Sequence, residues 1–316
     1  MPASAGMTAN DGGRMHPNPV LRKLGCSEND RVVIIHADDI GFCHSSAAAM
    51  ERLMDAGIVS SMAAMAVCPW FPAVADYCRA HPGIDLGLHF TLTSEYDTYR
   101  WGPISTRDPR SGLLDGDGFF HHRSEPPQKR GKAEAVALEL KAQIKRVLAA
   151  GIDLTHVDSH MVTVWHPKFL RAYLNIPARQ GLPAFFLRMD PETAMQWGYD
   201  PRSAAVMTRM AAAFEARGLP LFDRIFIMPL ENADDRIGTA RRALSALPPG
   251  LTYFILHPAV DSPELRAITP EDWRARAADY QAFTSTELQT FIRDSGIRVI
   301  GWKVLRDLMR KEKAKV

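Results

Sequence analysis

Short apolar runs alternate with helix-patterned segments along nearly all of this 316-residue chain, and that alternation constrains its fold more than any other feature. Val32-Val33-Ile34-Ile35 is β-branched and wholly apolar, as a strand buried on both faces must be. A helical pattern follows over 45–56 and stops at Gly57. The spacing then predicts strands over 58–67, 85–90, 154–157, 184–187, 224–227, 252–256 and 298–300. Between them it predicts helices over 70–80, 133–150, 167–179, 233–247 and 271–294. Alternating strands and helices favour an α/β fold with a parallel sheet, and seven or eight such units favour a (β/α) barrel, complete or incomplete, over an open sheet.

The domain reading follows from the same pattern. Residues 1–30, loose in Gly and Pro, read as a flexible N-terminal tail, and 31–316 read as one barrel domain. The segment 91–132 is too long for an ordinary connection and reads as an insertion of the kind that is functional or disordered. Lys and Arg total 38 against 36 Asp and Glu, so no concentrated basic face is available for a nucleic acid. The longest apolar stretch, 62–75, contains Pro69 and Pro72 and falls short of the ~20 residues a membrane span needs. The first 30 residues hold no apolar signal core, and the four cysteines form no CxxC pair. The expectation is a cytoplasmic protein with reduced thiols, with a homodimer left open.

The chemistry lies where polar residues meet strand ends. The first strand runs into His36-Ala37-Asp38-Asp39, the third into His89, the fourth into His156-Val157-Asp158-Ser159-His160, and a late one into His257-Pro258. Each alone has a bland explanation in turn chemistry or a satisfied structural histidine. In a parallel barrel, however, all four ends share the face on which active sites are built. Residues 156, 158 and 160 alternate and so point to one side, with Asp158 placed to orient a ligating histidine. Two imidazoles and a carboxylate with an open position form a catalytic divalent-metal set, nearer to zinc than to an all-oxygen calcium or magnesium cage. The second Asp of the pair is then free to act as a base. In the insertion, Tyr96, Asp97, Tyr99, Arg100 and Trp101 form a candidate sugar platform of stacking rings and hydroxyl-binding charges, although Tyr99 and Trp101 could equally pin the loop to the barrel. Arg188, beyond the 184–187 run, is a candidate to hold a ligand oxygen.

In this order, His36-Ala37-Asp38-Asp39-Ile40-Gly41, Gly87-Leu88-His89-Phe90-Thr91-Leu92-Thr93, His156-Val157-Asp158-Ser159-His160 and His257-Pro258 resemble the motifs of the YdjC-like carbohydrate deacetylases. The resemblance spans roughly Val32 to Asp307. It implies a distorted (β/α) barrel, related to the polysaccharide deacetylases, that removes acetyl from an N-acetylated mono- or oligosaccharide using one divalent metal ion (Zn, Mg or another). Carried over by position, Asp39, His89 and His160 match the metal ligands, Asp38 the base, and His257 the motif beside the site. Arg276 falls near an inward-pointing arginine and joins Trp101, Tyr99 and Arg188 as a substrate-binding candidate. The departing amine needs a proton, and His257 is the expected acid. Many relatives carry further histidines after the DSH segment; here Val162 and Val164 stand in those places, with His166 nearby. Rival readings are another metal hydrolase on the same barrel, cleaving a phosphoester or a cyclic amide, and a non-catalytic sugar binder.

Overall fold

The computed structural model describes residues 16–313. Its strands are β1 (Arg31–Ile40), β2 (Ser61–Ala64), β3 (Leu86–Phe90), β4 (Val157–Ser159), β5 (Arg224–Ile227), β6 (Gly250–Leu256) and the two-residue β7 (Arg298–Val299). They run parallel in the order β4-β3-β2-β1-β6-β5, with β7 beside the start of β1 at Val32 and Val33. Every residue of β1 after Arg31 is buried, as the apolar run demands.

The sheet curls into a half-barrel, so the incomplete form of the expected barrel is the one observed. The run 184–187, expected to be a strand, lies between the sheet edges β4 and β5 but makes only isolated bridges, Val157 to Ala184 and Leu187 to Phe222. Pro183 contributes a carbonyl to Val157 N at 3.0 Å and has no N–H to return, which shortens the ladder at its start.

Helices cover the outer face. In Ala133–Ala149 the stripe Val136, Leu140, Ile144 and Val147 is buried, while Leu148 faces solvent. Glu139 and Gln143 lie buried on that helix and anchor the long insertion. Glu139 accepts the N–H groups of Ile104 and Ser105 at 3.1 and 2.8 Å, and Gln143 bonds both backbone groups of Thr91. The expected helix over 271–294 is two, Trp273–Phe283 and Thr286–Asp294, because the Ser285 hydroxyl caps the second by accepting Leu288 N. Among the helices that escaped the periodicity are Pro191–Gln196 and Pro201–Ala216. Both carry Asp at the N-cap and Pro at N1, a start signal that was legible.

The loose-tail expectation needs correction over its second half. Pro19–Lys23 is helical, Val20 and Leu21 are buried, and Asn18 Nδ2 bonds Leu221 O and Asp223 Oδ2 at 2.9 and 3.0 Å. Residues 1–15 of that reading lie outside the described residues. The four cysteines are free thiols, all buried. Among the described residues no helix is long and apolar enough to cross a membrane.

Candidate active site

Alternation along the strands aims one set of side chains into the curl of the sheet: His36 and Asp38 from β1, Gly87 and His89 from β3, His156 and Asp158 flanking Val157, and Tyr253 and His257 from β6 and its exit. They stack in layers. At the bottom the buried Trp302 lies flat against the His156 ring, with centroids 4.6 Å apart and planes 7° apart. Gly87 makes room for that histidine, since a Cβ there would collide with the imidazole. One layer up, the pairing of His89 with Asp158 across β3 and β4 puts their side chains in contact, and His89 Nδ1 donates to Asp158 Oδ1 at 2.7 Å. Tyr253 donates its hydroxyl to Asp158 Oδ2 at 2.9 Å. Asp158 thus meets His89 on the nitrogen that faces away from Asp39.

Asp38 and Asp39 are neighbours on a strand and would normally face opposite sides. The register of β1 on β2 slips between Ala37 and Ile40, where one extra residue is inserted, and Asp39 adopts φ +60°. This bulge brings both carboxylates to the mouth of the sheet. Aspartate tolerates the left-handed conformation better than most residues. The turn after His160 is also strained, with Met161 and Val162 at φ +49° and +46°; for a β-branched valine this is a costly geometry.

Asp39, His89 and His160 each offer one ligand atom, and these atoms lie within 4.8 Å of one another. Asp39 Oδ1 is 3.1 Å from His160 Nδ1 and 3.4 Å from His89 Nε2. Yet it accepts no well-aligned hydrogen bond despite being buried. A buried oxygen without a donor, facing two imidazole nitrogens, is what a metal-ligand set presents. The residues present fit a divalent cation. Behind them, His160 Nε2 meets Glu95 at 3.0 Å and Arg276 Nη1 donates to Asp39 Oδ2 at 2.9 Å. Arg276 also reaches the Tyr96 hydroxyl at 3.3 Å.

Charge follows geometry. Burial works against ionisation of Asp39, but His160, His89 and Arg276 hold its carboxyl well below the usual range. Burial likewise opposes charge on His160, and Glu95 and Asp39 overcome it, pushing the imidazole up to about 9. His89 is raised well above its ordinary value, against burial, by Asp38 and Asp158. His257 is different: burial lowers it and holds the ring neutral near pH 7. Its Nε2 lies 3.9 Å from Asp38 Oδ2, and its backbone N–H donates to Asp279, which is locked to Arg236.

Other expected residues sit elsewhere. Arg188 is held by Asp223 at 2.9 Å and Glu215 at 2.5 Å, and Asp223 in turn accepts Leu251 N at the start of β6. Six residues of strand separate that point from His257, on the order of 20 Å. Arg188 is a structural cation, not a site residue. Trp101 is 3% exposed, with Nε1 donating to Thr93 O at 2.7 Å, so it pins the insertion and offers no face to a ligand. Tyr99 packs edge-on against Trp101, half-buried. Arg276 holds Asp39 rather than standing free for a substrate. His166 caps the helix Pro167–Arg179 by accepting Lys168 N, and takes no part in the site. Glu95 and Tyr253 were not singled out from sequence as members of the site; Tyr96 entered only as part of the candidate sugar platform in the insertion, and His36 only as part of the strand-end motif. The rim does carry aromatic surface: Trp70, half-buried, lies 4.6 Å from the exposed His44, just past the C-terminal ends of β2 and β1.

The model of the family described as YdjC-like protein matches residues 32–294. A carbohydrate deacetylase of Thermus thermophilus is 29% identical over 92% of this chain and 99% of its own length. One from Thermoanaerobacter pseudethanolicus is 22% identical over 87% of this chain and 100% of its own. A crystal structure from Enterococcus faecalis V583, described provisionally as a cellobiose-phosphate cleavage protein, superposes with a TM-score of 0.68 at 22% identity, covering 87% of this chain and 99% of that one. That likeness establishes the shared fold.

Proposed function

The chain belongs to the YdjC-like protein family, and on that premise we propose that it is a metal-dependent carbohydrate deacetylase, hydrolysing the amide of an N-acetylated mono- or oligosaccharide to acetate and the free amine. The observation that carries this reading is the convergence of Asp39, His89 and His160 beside a second carboxylate, Asp38, that the ligand set does not use. A sugar binder has no need of that spare carboxylate. The full-length match to relatives named carbohydrate deacetylases supports the substrate class.

Asp39 Oδ1, His89 Nε2 and His160 Nδ1 would hold the cation, and two nitrogens with one oxygen favour zinc or a similar transition metal. When bound, such an ion lowers the pKa of water and polarises the acetyl carbonyl. Asp38 Oδ2 takes the proton from the attacking water. His257, neutral at rest and 3.9 Å away, is placed to receive that proton at Nε2 and deliver it to the departing amine nitrogen. Asp158 and Glu95 fix the ring orientations of the two histidine ligands from behind.

Acetate release from N-acetylated hexosamines and their short oligomers, measured alongside metal content, tests the proposal. Stoichiometric metal, activity lost to a chelator and regained on re-addition, and acetate as product are expected. Turnover of phosphoesters or cyclic amides in place of acetate release would move the protein to another hydrolase class.

A further inference from the structure

His36 is fully buried beneath the site and touches two of its carboxylates, Asp38 and Asp158, with a single nitrogen. Its Nε2 is 3.0 Å from Asp38 Oδ1 and 3.1 Å from Asp158 Oδ2. It lies between the two oxygens and is aligned for a full hydrogen bond with neither. Carboxylate oxygens only accept, so Nε2 must carry the proton. The other nitrogen, Nδ1, meets the Ser61 hydroxyl at 2.5 Å, because His36 and Ser61 are register partners on β1 and β2. Tyr253 covers one side of the ring at 4.7 Å, and His156 stands edge-on at 5.1 Å. The imidazole is therefore clamped by two strands and two rings, and cannot turn away from its carboxylates.

This arrangement gives the two oxygens of Asp38 different surroundings. Oδ1 faces inward to His36, whereas Oδ2 faces His257 at the more open side. An aspartate without a fixed inner oxygen has more freedom to rotate, and Asp38 lies within the register slip of β1 on β2. Asp38 and Asp158 also lie close enough to repel, both within 4.8 Å of the same His89 atom, and a shared proton between them offsets that repulsion.

We propose that His36 is the positioning residue for Asp38: its shared Nε2–H fixes Oδ1, presents Oδ2 to the reacting water, and ties the base to the carboxylate that orients His89. The catalytic meaning of this role rests on the deacetylase reading; the contact itself does not.

A double-mutant cycle tests it. His36→Leu should lower kcat by about 10- to 100-fold, the range typical of groups that orient a catalytic shell, with KM and bound metal little changed. His36→Gln, which can place an amide N–H near Nε2, should recover much of that loss. In an Asp38→Asn background, where the base is already gone, His36→Leu should cause little further loss, since residues acting as one unit are strongly non-additive. An additional tenfold loss there, equal loss in the Gln and Leu variants, or loss of metal would overturn the proposal. Urea unfolding of the same four proteins reads the contact without turnover. If the wild-type chain releases no acetate, the deacetylase reading falls, and the unfolding constants still decide the contact. Coupling of about tenfold or more between positions 36 and 38 supports it, and additive losses overturn it.

Discussion

Arg276 donates from Nη1 to Asp39 Oδ2 at 2.9 Å across 237 residues of sequence. One oxygen of Asp39 is thereby taken, and only Oδ1 faces the imidazoles of His89 and His160. A guanidinium thus fixes which atom of the proposed ligand points at the cation, and it balances a carboxylate that has almost no solvent of its own.

Both partners are buried, so removing one strands the other. Arg276→Met should lower unfolding free energy by about 3–5 kcal/mol, the usual cost of breaking a buried pair from one side. Adding Asp39→Asn to that variant should restore a large part of the loss. Urea denaturation of the metal-free proteins measures both. An Arg276→Met chain as stable as wild type would mean that the pair is screened by water.

Metal binding should release protons. His160 is pushed up to about 9 by Glu95 and Asp39 against the effect of burial, and a histidine must be deprotonated at its ligating nitrogen to coordinate. Metal affinity should therefore rise with pH until about 9, by roughly tenfold per unit for each proton displaced. Stability of the metal-free chain runs the other way. The folded value lies above the ordinary one of 6.5, so His160's contribution is complete below pH 6.5 and is lost as pH rises through about 9. Titration calorimetry in buffers of different ionisation enthalpy counts the protons, and Glu95→Gln should flatten both slopes.

Much of this architecture was legible because its causes are local. Strand and helix periods fall within a dozen residues, and the helix predicted over 167–179 is found at Pro167–Arg179. The polar residues at strand ends are legible for the same reason: parallel strands place them on one face whatever the details of packing. What escaped depended on contacts remote in sequence or on backbone departures. Nothing in Asp38-Asp39 announces the bulge that turns both inward. Arg188 looked like a site residue because it follows an apolar run, but Asp223, from a distant segment, claims it. Trp101 could not be assigned without knowing that Thr93 O awaited its N–H. Glu95 carried no motif, and only the fold of the insertion brings it to His160.

The two tryptophans near the rim should respond differently. Trp101→Ala empties a buried site and should cost about 3–5 kcal/mol of stability. The kinetics of the surviving folded fraction should change little if the indole only pins the insertion. Trp70→Ala removes a half-buried ring whose partner His44 is exposed, and should raise KM for an acetylated sugar while leaving the melting temperature nearly unchanged. Steady-state kinetics paired with thermal melts distinguish the two, and a stability loss in Trp70→Ala would make it another anchor.

The adjacent aspartates provide the sharpest separation of roles, because their surroundings differ although their chemistry does not. Asp39 is ringed by His89, His160 and Arg276, whereas Asp38 turns one oxygen to His36 and the other toward His257. Asp39→Asn exchanges an anionic ligand for a neutral one, so it should weaken metal binding and regain part of its activity at high metal concentration. Asp38→Asn keeps all three ligands and should retain its metal, yet turnover should fall by roughly the 10²–10⁴-fold that a general base supplies. Excess metal cannot restore it, because the missing element is a proton acceptor. Metal content by elemental analysis and kcat across a metal titration read both variants side by side. If both lose metal alike, or if Asp38→Asn turns over near the wild-type rate, the pair acts as two ligands and the base must be sought elsewhere on the rim.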